Sequence, residues 1–330
     1  MGDTSSSPSV RLPCPDTLTD VAEDRTLRHW TFRDPARVKI GSEAHKQMFC
    51  RMLLETHNPY KPAVLDWPPL PPDALERLCS LPIWDIAVQT EGRASIAVHT
   101  YAAQLRDLLL REAITMDGDE EARHKHVLSR LIAAYGIEIA PEPDYPPPRD
   151  AEWEWMRTGY SECIDSFFAF GLFRSAQESG FFPAALVETF EPVIQEEARH
   201  ILFFINWVAW YRRIMPLWRR PWHSLRVAAI WVVLIWQRLA IARGIDAKGM
   251  AHDSNFLPAS SGVIGEAMNA PDLFALCLAE NDRRMSGYDA RLLRPRLVPT
   301  LARFALRFMK PARRDTSSKQ GDAGHDMDRR

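Results

Sequence analysis

Cysteine is scarce and scattered in this chain. Its five cysteines, Cys14, Cys50, Cys79, Cys163 and Cys277, are odd in number, lie far apart and form no C-x-x-C pair. That excludes a disulfide scaffold and a cysteine-built zinc module, and makes a reducing cytoplasm the expected location. An excess of one charge is missing too. With 41 Lys and Arg against 43 Asp and Glu, the formal net charge is −2, so a general nucleic-acid coat is excluded and no nucleic-acid partner is expected. Long apolar runs are also absent. The longest, Val227 to Trp236, covers about 15 Å as a helix, half of a bilayer core. It reads as a buried helix, without stable membrane insertion. With only 15 Gly and 25 Pro, the chain is neither collagen-like nor wholly disordered.

No strand-type alternation of useful length occurs, and the apolar spacing is helical almost throughout, so an all-α fold is expected. Residues 1–25 and 311–330 are polar and read as disordered ends. Residues 26–81 form a helical, Pro-rich extension, with one helix from an N-cap at Ser42 to about Thr56 and another starting after Asp73. Residues 82–212 carry four long helical segments. Residues 213–310 add a second helical set, roughly 222–244, 261–285 and 296–309, packed on the first. Eleven tryptophans suggest an aromatic-lined interior.

One word occurs twice: Glu-Glu-Ala-Arg-His at 120–124 and again at 196–200. In each copy a Glu and a His stand three residues apart, Glu121 with His124 and Glu197 with His200. On a helix they lie about 60° apart on one face, so a carboxylate and an imidazole can reach one metal or adjacent metals. A single E-x-x-H is usually a solvated helix face; two copies in long amphipathic segments are harder to dismiss.

A bundle site of this kind needs one further Glu from each partner helix. If two antiparallel helices face each other, the turn falls midway between the facing residues. For Glu91 and Glu121 the midpoint is residue 106, next to Asp107, an adequate N-cap. For Glu162 and Glu197 it falls between Ser179 and Gly180, where Gly180 and Pro183 supply a helix stop and a helix start. The Asp117-Gly118 pair threatens the first assignment, because a break there would bring Glu112 rather than Glu91 opposite Glu121. Asp165, one turn from Glu162, is a candidate for an auxiliary role.

The doubled motif with its partner glutamates resembles the ferritin-like di-iron carboxylate superfamily, over residues 82–212. That resemblance implies a ferritin-like four-helix bundle with additional N- and C-terminal helices. It implies two Fe ions, or a Mn/Fe pair, held by Glu91, Glu121, His124, Glu162, Glu197 and His200. Glu121 and Glu197 would be the bridging or flexible carboxylates that take part in the chemistry. Four carboxylates neutralise two ferrous ions, and oxygen with imidazole suits Fe or Mn.

The acid-Glu-x-Arg-His context is similar to that of O2-activating members, the acyl-carrier-protein desaturases and multicomponent monooxygenases. There the preceding acid and the Arg support the ligands, which here would be Glu120 with Arg123 and Glu196 with Arg199. The flanking words HKQMFCRMLLETHNPYKPAVLDWPPL and LPIWDIAVQTE resemble those of bacterial ferritin-like proteins with no assigned substrate. The implied activity is O2-dependent oxidation of a small-molecule or carrier-bound organic substrate by hydroxylation, desaturation or N-oxygenation. An external electron donor, a ferredoxin or reductase, would serve it, in a chain that can be a homodimer. Two other readings stay open: a ferroxidase or iron-handling protein, and a helical interaction protein with a structural metal.

The remaining conspicuous residues have plainer expectations. His99, two turns from Glu91, reads as a packed histidine rather than a further ligand, His126 as surface, and His45 and His57 as structural. Trp207, Trp210, Tyr211, Phe167, Phe168 and Phe170 read as core. Arg212, Arg213, Arg219, Arg220 and Arg226 read as a solvated cluster, with anion or partner binding as the alternative.

Overall fold

Ser42 opens the regular structure, its Oγ accepting the backbone N–H of His45 at 3.2 Å at the head of α1 (Glu43–Glu55). The computed structural model describes residues 28–34, 37–59, 67–242 and 269–309, and the expected disordered ends lie outside them. Among the described residues every regular element is helical, and Trp30 and Tyr288 form an isolated bridge. α2 (Pro72–Cys79) starts one residue before Asp73, because proline's fixed φ suits a first helical position.

Four long helices follow: α3 (Trp84–Gln104), α4 (Leu108–Tyr135), α5 (Ala151–Ser179) and α7 (Glu191–Ile214). α3 packs on α4 and α5, and α7 packs on α5 and more lightly on α4. Asp107 caps α4 as the sequence predicts, its Oδ1 accepting Leu110 N–H at 3.0 Å. Gly136 (φ 62°) ends α4 and Gly180 (φ 64°) ends α5, both in the left-handed region that favours glycine.

Between α4 and α5 the Pro-rich segment 137–150 travels back along α3. Ala140 N–H bonds Asp85 at the start of α3, and Tyr145 reaches Arg93 farther along it. Trp155 near the start of α5 then stacks on Tyr101 near the end of α3, with ring centroids 5.6 Å apart. α5 therefore begins at the end of the molecule where α4 begins, and the two run parallel.

The link from α5 to α7 departs from expectation. The sequence suggests a single helix from Pro183, but the short α6 (Ala184–Glu188) precedes α7. Pro192 explains the break: it lacks an N–H and clashes with a continuing helix on its N-terminal side.

α1 covers α7 and α4 from one side. α8 (Arg220–Ala242), α9 (Ala270–Ser286) and α10 (Leu297–Phe308) pack on α5, and α9 also on α7. α8 is not the buried helix expected of 227–236, because only one face, with Ile230 and Leu234, packs inward while Val232, Ile235 and Trp236 are exposed. The expected start of the middle helix of this set, 261–268, lies outside the described residues. Trp155, Phe203, Phe204 and Trp207 are fully buried in the main core, which is the packing role expected of Trp207. Gly159 lets α5 and α7 meet there: a Cβ on it would stand 2.3 Å from the Phe204 ring. Among the described residues no helix is long and apolar enough to cross a membrane, and Cys50, Cys79, Cys163 and Cys277 are free thiols.

Candidate metal centre

α4 presents Asp117, Glu121 and His124 on one stripe, at the i, i+4, i+7 spacing that a helix returns to the same face. α7 presents Glu197 and His200, α3 presents Glu91, and α5 presents Glu162. Two groups of side chains converge from these helices. In one, an atom each from Glu91, Glu121, His124 and Glu197 all lie within 4.8 Å of one another; in the other, Asp117, Glu121 and His200 do the same. Glu121 belongs to both. His124 Nδ1 stands 3.8 Å from Glu91, 3.9 Å from Glu121 and 3.3 Å from Glu197. His200 Nδ1 stands 2.9 Å from Glu121 and 3.7 Å from Asp117. The two imidazole centroids are 5.7 Å apart.

The outer nitrogen of each histidine is fixed by the opposite copy of the repeated word. His124 Nε2 donates to Glu196 at 2.8 Å, and His200 Nε2 donates to Glu120 at 2.8 Å. The arginines cross as well: Arg123 binds Glu196 at 2.5 Å, and Arg199 binds both oxygens of Glu120 at 3.1 Å. This sets the tautomer, because a proton held on Nε2 leaves the Nδ1 lone pair facing the carboxylates.

The end of α1 and the residues after it hold these supporting groups in turn. Arg199 donates to Thr56 Oγ1 at 2.8 Å and to the Leu53 carbonyl at 2.6 Å. His57 Nδ1 bonds Glu120 at 2.6 Å, and Arg123 bonds the Asn58 carbonyl at 2.7 Å. Ser166 on α5 donates to Glu197 at 2.9 Å.

Burial alone would raise the Glu120 carboxyl, yet the Arg199 guanidinium, His200 and His57 hold it well below the usual range. Inside the cluster the balance reverses. Burial, then the charges of neighbouring carboxylates, pushes Glu121 and Glu162 well above their usual values. Asp117 rises to about 6, chiefly through burial. Burial opposes protonation of His124 and His200, but their acidic neighbours outweigh it and raise both well above 6.5. Excess negative charge buried in one place must be met by protons or by cations.

Of the six ligands expected from the sequence, five fall in the two groups. Glu162 stands beside them and in neither, close enough to feel Asp117, Glu197, His200 and Glu91. Asp117 was missed. The Asp-Gly pair reads as a breaker, but α4 runs through it unbroken, with His99 against Gly118, where a Cβ would meet its ring at 2.7 Å. The i, i+4, i+7 spacing to Glu121 and His124 was the signal that would have found it. Because the helix continues, Glu112 is exposed and does not replace Glu91.

His99 bonds the Ser95 carbonyl and Asp119 and joins neither group. Asp165 joins neither, being held by Arg238 at 2.7 Å. His126 is exposed. His45 is structural, bonding Asn206 at 3.0 Å, whereas His57 supports the centre through Glu120. In the arginine cluster, Arg226 pairs with Asp150 at 2.9 Å and Arg220 bonds the Arg213 carbonyl at 3.0 Å; none of the five lines the site.

A cavity of about 590 Å³ opens directly on the cluster. Glu91, Glu121, His124, Glu162 and Glu197 form part of its wall, most of the rest is apolar, and segment 143–148 roofs it.

The donor set fits metal ions on a direct observation. Asp117 Oδ1, Glu121 Oε1, His124 Nδ1 and His200 Nδ1 are all buried and have no hydrogen-bond partner, though each has the lone pairs a cation takes. Among the described residues the regular structure is all helical, and these carboxylate and histidine groups can hold a metal ion. Comparison with family models, curated proteins and solved structures finds no match to this chain.

Proposed function

We propose that this protein is a non-haem di-iron oxidase or oxygenase built on a ferritin-like four-helix bundle, and that it uses O2 to oxidise an organic substrate. One observation carries the reading: two buried histidine nitrogens, neither in a well-formed hydrogen bond, face carboxylates that share Glu121, and Glu121 and His124 lie on the wall of a largely apolar cavity. Glu91, Glu121, His124 and Glu197 would hold one ion, and Asp117, Glu121 and His200 the other, with Glu162 beside both. Iron bound there would supply O2 reduction and the oxidising power for the substrate.

The chain's own residues do the rest. Glu196 and Glu120 keep a proton on each Nε2, so both Nδ1 atoms stay available. Arg123 and Arg199 hold those two carboxylates in place, and Arg199 keeps Glu120 ionised. The apolar walls exclude water, which protects a reactive centre from side reactions. A cavity of this size supports oxidation of an organic molecule over iron handling alone, because a ferroxidase needs only a path for ions and O2. Electrons would come from an external donor, a ferredoxin or reductase. The substrate would be a small or carrier-bound molecule.

The test is anaerobic loading of the full chain with Fe(II), metal counting, and exposure to O2 under stopped-flow absorbance and Mössbauer detection. Two irons per chain that are oxidised together by O2 are expected. A chain that binds no pair of redox-active metals, and in which Glu121→Ala and His200→Ala change nothing, would sink the reading.

A further inference from the structure

Among the charged residues of the cavity wall, Arg93 is the one whose guanidinium has no hydrogen-bond partner at any of its nitrogens. It stands on α3 two residues after Glu91, and all three nitrogens are buried. Its contact is the face of Tyr145 on the roof segment, 5.6 Å from the ring centroid. The carboxylates nearby are committed elsewhere: Glu154 to Arg157 at 2.6 Å and Glu142 to Lys125 at 2.6 Å. An arginine buried without an anion is costly, and a guanidinium fork fits a carboxylate with two parallel hydrogen bonds.

The cavity is also polar at one end only. Along α5, Arg157 precedes Glu162 by about 7.5 Å of helix, on the side of Arg93 and Tyr145. Leu172, Phe173 and Ala176 follow Glu162, and with Trp84, Leu131 and Leu186 they make the far end apolar. The carboxylate and histidine cluster lies between.

We infer that Arg93 is the anchor for the carboxylate of an apolar monocarboxylic acid, whose hydrocarbon chain lies along the cavity past the metal cluster. The inference names the substrate class of the proposed centre and rests on that reading of the cavity as its substrate chamber. Tyr145 rests on the guanidinium face and shifts to admit the carboxylate to the N–H edge. The cluster then meets a carbon some distance from the head group, because the anchor sets the depth of the chain.

The test uses the metal-free full-length chain, so that carboxylate binding to metal cannot imitate the result. Calorimetry with decanoate and with decanol is expected to show decanol about 10- to 100-fold weaker, the worth of a charge-assisted pair. Arg93→Met is expected to bring decanoate down to the decanol level without lowering the melting temperature, since it removes an unpaired buried charge. Arg93→Lys is expected to fall between. Equal affinity for the two ligands, no binding of decanoate, or full affinity in Arg93→Met would each overturn the inference. Because the iron count is measured separately, loss of the di-iron reading and loss of the carboxylate anchor give different results.

Discussion

His124 on α4 and Glu196 on α7 belong to different copies of the repeated word, yet His124 Nε2 and Glu196 Oε2 are 2.8 Å apart and buried. His200 and Glu120 repeat the relationship in the opposite direction at the same distance. Each copy therefore supplies the carboxylate that orients the histidine of the other.

Exchange of support between the copies predicts separable defects. Glu196→Gln should disturb the site that contains His124, and Glu120→Gln the site that contains His200. Each should weaken metal binding by about 10- to 100-fold, read by competition with a chelator, with the two irons distinguished by Mössbauer spectra. If each variant perturbed the site of its own copy, the exchange would have no functional meaning.

Asp117 belongs to one group with His200, whereas Glu112 on the same helix is exposed. Asp117→Asn should lower the metal count from two toward one per chain while leaving the helical content unchanged. Glu112→Gln should keep the count at two. The reverse pattern would restore the helix break that the Asp-Gly pair suggests.

Gly159 decides the approach of α5 to α7. Alanine normally stabilises a helix interior by about 1 kcal/mol relative to glycine. Here the added Cβ would collide with the buried ring of Phe204. Gly159→Ala should therefore destabilise the fold by about 1–3 kcal/mol, measured as a lower urea midpoint. A higher midpoint would mean that the helices separate without penalty.

Asp289 is held at about 2 by hydrogen bonds from Arg291, with the Phe32 and Arg291 backbone N–H groups adding to the effect against burial. A carboxylate depressed in the folded state stabilises above its unfolded pKa of about 4. That contribution is lost as the pH falls toward 2. Urea midpoints measured from pH 5 downward should drop more steeply for the native chain than for Asp289→Asn. Parallel curves would exclude Asp289 from the acid transition.

Much of this was written locally. Ser42, Asp107, Gly136 and Gly180 act through their own turn and so are legible from a few neighbouring residues. The repeated word, with midpoints at residue 106 and between Ser179 and Gly180, pointed to Glu91, Glu121, His124, Glu197 and His200, which the fold brings to one place. Pro192 carried the signal for the break between α6 and α7, although the pattern around Pro183 read as one helix.

The sequence by itself determined which helices form and which faces carry acids and histidines, because a 3.6-residue period and its end signals depend on near neighbours alone. Tertiary structure decided the exchange of Glu120 and Glu196, the clamp from Thr56, His57 and Asn58, and the Pro-rich roof that sets Tyr145 against Arg93. Those contacts join residues about 50 to 145 positions apart in sequence, and only the packing of α1, α3, α4 and α7 fixes their distances.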